Sequence, residues 1–152
     1  MQHRAEARID LFALASNISF LKATSKVDLL AVVKADAYGL GATALSKQLI
    51  SLGADCLAVA YAHEGVSLRK IGIDCPIIVF YPQYERIDTI IDYTLEPALF
   101  SSDFIEAFAT ALKQKKCVNY PVHLKCNTGL NRIGLSAPEV DDFLAKKEAF
   151  PF

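Results

Sequence analysis

Apolar positions along this chain alternate between two periods. Asp10 precedes Leu11, Leu14, Ile18 and Leu21, a helical spacing with a capping residue in front. The run Leu29-Leu30-Ala31-Val32-Val33 does not alternate, which predicts a strand buried on both faces. Leu45, Leu49 and Leu52 mark a second helix that Gly53 stops. Cys56-Leu57-Ala58-Val59-Ala60 predicts the next strand, and residues 64–70 the next helix, closed by Gly72. Pro76-Ile77-Ile78-Val79-Phe80-Tyr81 is a third strand, followed by a short helix through Ile87, Ile90 and Ile91. Pro97-Ala98-Leu99-Phe100 is a fourth, and Ser102 and Asp103 cap a helix with the face Phe104, Phe108 and Leu112. Val122-His123-Leu124-Lys125-Cys126 is a fifth. Ser136 and Glu139 then form a capping box around Pro138, and Val140, Phe143 and Leu144 give the last helix its apolar face.

Strand starts recur every ~20–27 residues, the period of βα units joined by right-handed crossovers. The class is α/β. An open doubly wound sheet and a (β/α)8 barrel both fit, and a complete barrel takes about 250 residues. At 152 residues, length alone favours the open sheet. The apolar fraction of 53% suffices for a large core, and the net charge of −1 gives no footprint for nucleic acid or an acidic membrane. No apolar stretch reaches the ~18 residues of a membrane span. Residues 1–10 are charged and lack the apolar segment of a leader, so a cytoplasmic protein is expected. The four cysteines, Cys56, Cys75, Cys117 and Cys126, form no Cys-x-x-Cys pair and are read as buried free thiols. His3, His63 and His123 do not cluster, so no metal site is expected.

Chemistry concentrates in two segments. In Val33-Lys34-Ala35-Asp36-Ala37-Tyr38-Gly39-Leu40-Gly41, a lysine follows directly on a buried strand, at the end where parallel α/β proteins place their sites. A lysine amine there can attack an aldehyde and form a Schiff base. Gly39 and Gly41 let the backbone approach a ligand closely, and Tyr38 offers a hydroxyl to a phosphate. Taken alone, a lysine that closes a strand is usually a surface residue. In the second segment, Lys125-Cys126-Asn127-Thr128-Gly129-Leu130-Asn131-Arg132-Ile133-Gly134, a lysine again ends a strand and an arginine follows a turn. Lys34, Lys125 and Arg132 on one face suit an anionic ligand.

Together the two segments resemble the alanine racemase family. Its cofactor motif reads Lys-Ala-Asn-Ala-Tyr-Gly-His-Gly where this chain has Lys34 to Gly41. Its second pattern reads Lys-x-Asp-(Ser/Thr)-Gly-Met-x-Arg-Leu-Gly where this chain has Lys125 to Gly134. Glu64-Gly65 with Leu68-Arg69, and the opening Arg8-Ile9-Asp10-Leu11 with Asn17, are weaker matches. Asn127 departs from the family's Asp, Leu40 from its His and Leu130 from its Met.

The resemblance implies a partial TIM-type barrel of about five βα units, with residues 1–152 an incomplete N-terminal domain. The rest of the barrel and a C-terminal β-domain would lie elsewhere. It implies pyridoxal 5'-phosphate as cofactor, held by Lys34 as Schiff-base lysine and first of two bases. Tyr38 would contact the phosphate and Arg132 the phenolic oxygen. Lys125 would be carbamylated and pair with Arg132. The implied reaction interconverts L-alanine and D-alanine for peptidoglycan precursors, in a homodimer whose partner supplies the second base. These 152 residues alone are expected to be inactive. A broader-specificity amino-acid racemase and a non-catalytic pyridoxal-phosphate-binding protein of the same barrel remain as alternatives.

Overall fold

A computed structural model describes residues 7–152; His3 and the start of the segment read as lacking a leader lie outside the described residues. The chain alternates strand and helix throughout. Helix α1 (Leu11–Ser25) is followed by β1 (Leu30–Val32), a left-handed turn (Lys34–Tyr38) and α2 (Ala42–Ser51). Then come β2 (Cys56–Val59), α3 (Ala62–Lys70), β3 (Ile77–Val79), a 3-10 turn (Tyr84–Arg86) and α4 (Ile87–Asp92). The rest is β4 (Glu96–Leu99), α5 (Ser102–Gln114), β5 (His123–Leu124), α6 (Ala137–Lys146) and a 3-10 turn (Lys147–Ala149). Asp10 caps α1 through the N–H groups of Phe12 and Ala13 at 2.9 and 3.0 Å. Ser101, one residue before the expected caps, accepts from the Phe104 N–H and caps α5.

The five strands lie in the order β1-β2-β3-β4-β5, and every pair is parallel. Strand order decides between the two architectures. A doubly wound sheet reverses its order at a switch point, and helices then cover both faces. Strictly sequential right-handed crossovers place every helix on one face, as in a barrel wall. The described sheet is therefore a sector of a (β/α)8 barrel.

Side-chain parity follows from that geometry. Leu57, Val59, Ile77, Val79 and Leu99 point to the helices and are fully buried. They share one core with Leu49, Leu68, Ile90, Phe104, Phe108 and Leu112, each fully buried side chain contributing about 1.5–3 kcal/mol. The opposite parity forms the inner face. There Leu30 is 37% exposed, Val32 and Ile78 are half-buried, and Glu96 meets His123 across β4 and β5 at 2.7 Å.

Two side chains fasten the outer layer to this wall. Arg69 donates to the carbonyls of Ile73 and Cys75 at 2.7 Å, Thr94 at 2.9 Å and Tyr93 at 3.1 Å. The Tyr120 hydroxyl lies 2.8 Å from the Leu95 carbonyl and 3.0 Å from that of Ile90, and burial pushes its pKa far up.

Several expectations change. β1 is not buried on both faces, because no described element covers its inner side. On α1 only Ile18 is buried, while Leu11 and Leu21 stay 47% exposed. No residue of α6 is buried, although Val140 and Phe143 pack partly on the core. The four cysteines are free, but Cys56, Cys75 and Cys117 are only half-buried and Cys126 is exposed. Desolvation still raises the Cys56 and Cys75 thiols above their ordinary range.

Candidate functional site

Lys34 and Lys125 each stand just past the C-terminal end of a strand, at opposite edges of the sheet. Sheet curvature brings them to one cavity of about 390 Å³. Its lining is Lys34, Ala60, Tyr61, Phe80, Tyr81, Lys125, Arg132 and Ile133. Both lysines are half-buried and Arg132 is exposed at the rim. Three cations thus converge on a pocket with aromatic walls, a donor set for a planar anionic ligand.

The backbone that presents Lys34 is unusual. Ala35, Asp36 and Ala37 all have φ of 52–53° and ψ of 47–50°, and Tyr38 has φ 58°. Each left-handed residue that carries a Cβ costs about 1–2 kcal/mol. Such a run persists only where its surroundings over-determine it. Here they do. Ala35 N–H donates to Glu64 Oε1 at 2.7 Å, and Asp36 Oδ1 accepts from Ala42 N–H, at the start of α2, at 2.7 Å. Gly39 and Gly41 continue at φ 85° and 95° and donate to the carbonyls of Ala35 and Asp36. The turn therefore ends on glycines, which take this hand without the Cβ penalty.

The second segment is built differently. Asn127 Oδ1 accepts from the N–H groups of Gly129 at 3.2 Å and Asn131 at 3.1 Å, and Asn127 Nδ2 donates to Asn131 Oδ1 at 2.9 Å. Leu135 N–H donates to the Lys125 carbonyl, and Asn127 N–H to the Leu135 carbonyl, both at 2.8 Å. These two bonds close the loop that carries Arg132.

The structure brings Lys34, Lys125 and Arg132 together. Tyr38 is 64% exposed and does not line the cavity. Three residues that the sequence did not single out do line it: Tyr61, Phe80 and Tyr81. Tyr81 contacts Tyr61 edge-on at 5.9 Å and stacks on Phe100 at 5.7 Å. Their signal was positional, since an aromatic follows the end of β2, β3 and β4 in turn. No group of three or more metal-ligating side chains lies together among the described residues. Nor is any described helix long and apolar enough to cross a membrane.

The family model for the alanine racemase N-terminal domain matches residues 9–152. The chain belongs to that family. Alanine racemase 1 of Clostridium acetobutylicum is 42% identical over 135 residues, covering 88% of this chain and 35% of that relative. The alanine racemase structure from Corynebacterium glutamicum aligns with a TM-score of 0.81 at 32% identity, over 94% of this chain and 41% of that one. The alanine racemase of Bartonella henselae, solved with covalently bound pyridoxal phosphate, aligns at 0.81 and 25%, over 91% of this chain and 39% of that one. The alanine racemase N-terminal domain seen here thus spans 35–41% of the length of these relatives. Both motif segments of this family member fall inside the matched region and meet at the cavity.

Proposed function

We propose that the full-length protein is a pyridoxal-phosphate-dependent alanine racemase, with residues 1–152 forming the first part of its barrel domain. One observation carries this reading: Lys34, Lys125 and Arg132, from two segments about ninety residues apart, line a single aromatic-walled cavity at the C-terminal ends of the strands. Those residues fit the cofactor. A primary amine is available for its aldehyde, cations are available for its anionic groups, and flat side chains flank the space for its ring.

When bound, pyridoxal phosphate supplies an electron sink that lets an amino acid lose its α-proton. The chain's own groups do the rest. Lys34 would hold the cofactor through its amine, and its Nζ is the chain's own group for accepting or returning the α-proton. Arg132 would hold the cofactor by donating to its phenolic oxygen. Lys125, as a carbamate, becomes an acceptor that holds the Arg132 guanidinium in place. Tyr38, exposed and outside the cavity lining, would contact the phosphate. Tyr61, Phe80 and Tyr81 limit the entry of water. The proton donor for the other face of Cα comes from a partner subunit of a homodimer. The product, D-alanine, supplies peptidoglycan precursors in the cytoplasm.

Borohydride reduction of the full-length protein with pyridoxal phosphate, followed by peptide mapping, tests the assignment. The expected product is a cofactor adduct on Lys34, absent in Lys34→Ala. An adduct on Lys125, or on no lysine, overturns the reading.

A further inference from the structure

The left-handed turn after Lys34 and the end of β2 share one side chain. Glu64, half-buried in the first turn of α3, accepts three backbone N–H groups. Its Oε1 takes that of Ala35 at 2.7 Å, and its Oε2 takes those of Ala60 at 2.8 Å and Tyr61 at 2.9 Å. Ala35 is the residue directly after Lys34. Ala60 and Tyr61 line the cavity. A single carboxylate therefore ties the backbone that aims the lysine to the neighbouring wall of the pocket. No described hydrogen bond from a side chain other than Glu64 reaches the backbone N–H of Ala35, Ala60 or Tyr61.

The chemistry of this junction is selective. Three donors converge on two oxygens, and only a carboxylate offers acceptors on both sides with no proton of its own. Glutamine at this place would keep one acceptor for Ala60 and Tyr61, the bonds that start α3. Its amide N–H would then face the Ala35 N–H. That substitution leaves the helix start intact and breaks the contact to the Lys34 turn.

We propose that Glu64 is a positioning residue for Lys34, fixing the direction in which its amine enters the cavity by clamping the left-handed turn to the end of β2. The inference rests on the reading of Lys34 as the cofactor-bearing lysine. It does not make Glu64 a catalytic residue, since its oxygens are occupied by backbone donors.

The test uses the full-length protein with pyridoxal phosphate as probe, in wild type, Glu64→Gln, Glu64→Asp and Lys34→Ala. Three quantities are read: the fraction of cofactor trapped on Lys34 by borohydride, the circular dichroism induced in the bound cofactor, and the melting temperature of the protein without cofactor. Glu64→Gln is expected to stay folded but to melt a few degrees below wild type, since it loses the bond to Ala35. Its trapped fraction at limiting cofactor should fall roughly tenfold, with a weaker induced signal, as a misaimed reacting group requires. A purely structural glutamate would lower the melting temperature and leave the induced signal of the folded protein unchanged. If Glu64→Gln does not stay folded, Glu64→Asp carries the same test, because it keeps the charge and shortens the reach by one methylene. Wild-type trapping and dichroism in the folded variant overturn the inference while leaving the Lys34 assignment intact. Failure of wild type to trap cofactor on Lys34 overturns that assignment, and the inference with it.

Discussion

Lys34 and Lys125 stand at equivalent places, each just beyond a strand of the same sheet, but the backbones that follow them differ. After Lys34, four consecutive residues with Cβ atoms are left-handed and are held by carboxylates, Glu64 and Asp36. After Lys125, the loop is held by an amide, Asn127, and by its own backbone, with positive φ at Asn131, Gly129 and Gly134. Asparagine and glycine adopt that region at little cost, so the second loop uses residues suited to its shape. The first forces unsuited residues into shape and must be supported from outside. The first segment adds a tertiary contact, from Glu64, to its local bonds, whereas the second is held by local ones.

The sharpest way to break this contrast uses the two terminal glycines. A Cβ on Gly134, at φ 128°, would sit 2.8 Å from Asn127 N and 2.9 Å from Cys126 C, both backbone atoms that cannot move aside. Gly134→Ala is expected to lower stability by about 3 kcal/mol and to displace Arg132. Gly41, at φ 95°, has nothing within 4 Å of such a Cβ. Gly41→Ala is expected to cost only about 1 kcal/mol, the conformational penalty alone. Thermal or urea denaturation measures both. Equal losses would mean that close backbone approach is not what holds the second loop.

Relief of strain is a smaller effect with the opposite sign. Ala35 is exposed and left-handed, so Ala35→Gly removes a Cβ penalty while adding freedom to the unfolded chain. The expected net change is a gain of about 0.5–1 kcal/mol. In the second loop Asn131→Gly gains nothing at φ 54° and loses the Asn127 amide contact, so it is expected to lower stability by about 1 kcal/mol. Chemical denaturation of the two variants side by side checks the signs. Destabilisation by Ala35→Gly would show that the turn is not strained.

The same contrast explains what could be read from the sequence. β2, β3 and β4 and their helices were legible because their apolar runs lie in the core and little else could satisfy them. The expected stop at Gly53 and the Ser136–Glu139 pairing were legible because their signals are local. Lys34, Lys125 and Arg132 were legible as a set because motif and strand end coincide. The left-handed turn was not, since Ala35, Ala37 and Tyr38 carry no preference for that region and Asp36 only a mild one. Part of their support is written at Glu64, twenty-nine residues from Ala35 in the chain. The exposure of Leu30 and Leu11 was equally hidden, because an apolar pattern states what a face prefers and not which element covers it.

Acid sensitivity offers the finest distinction. Asp55, beneath the first segment, accepts the Leu29 N–H at 2.7 Å and lies 3.1 Å from Lys22 Nζ; the backbone bond first and the lysine second hold its carboxyl below the usual 3.8. Glu139, behind the second loop, accepts both the hydroxyl and the N–H of Ser136, which hold it below the usual 4.5. A depressed carboxyl binds fewer protons in the folded state than in the unfolded. Its contribution is complete above the unfolded value and fades as pH falls through the folded one. Melting temperature is therefore expected to drop as pH falls below about 5. Asp55→Asn and Glu139→Gln should each remove part of that drop. Added salt should shrink the Asp55 part, which includes a lysine charge, and leave the Glu139 part, which involves only neutral donors. A drop as steep in Asp55→Asn as in wild type would mean that the Leu29–Asp55–Lys22 contacts do not support the first segment in solution.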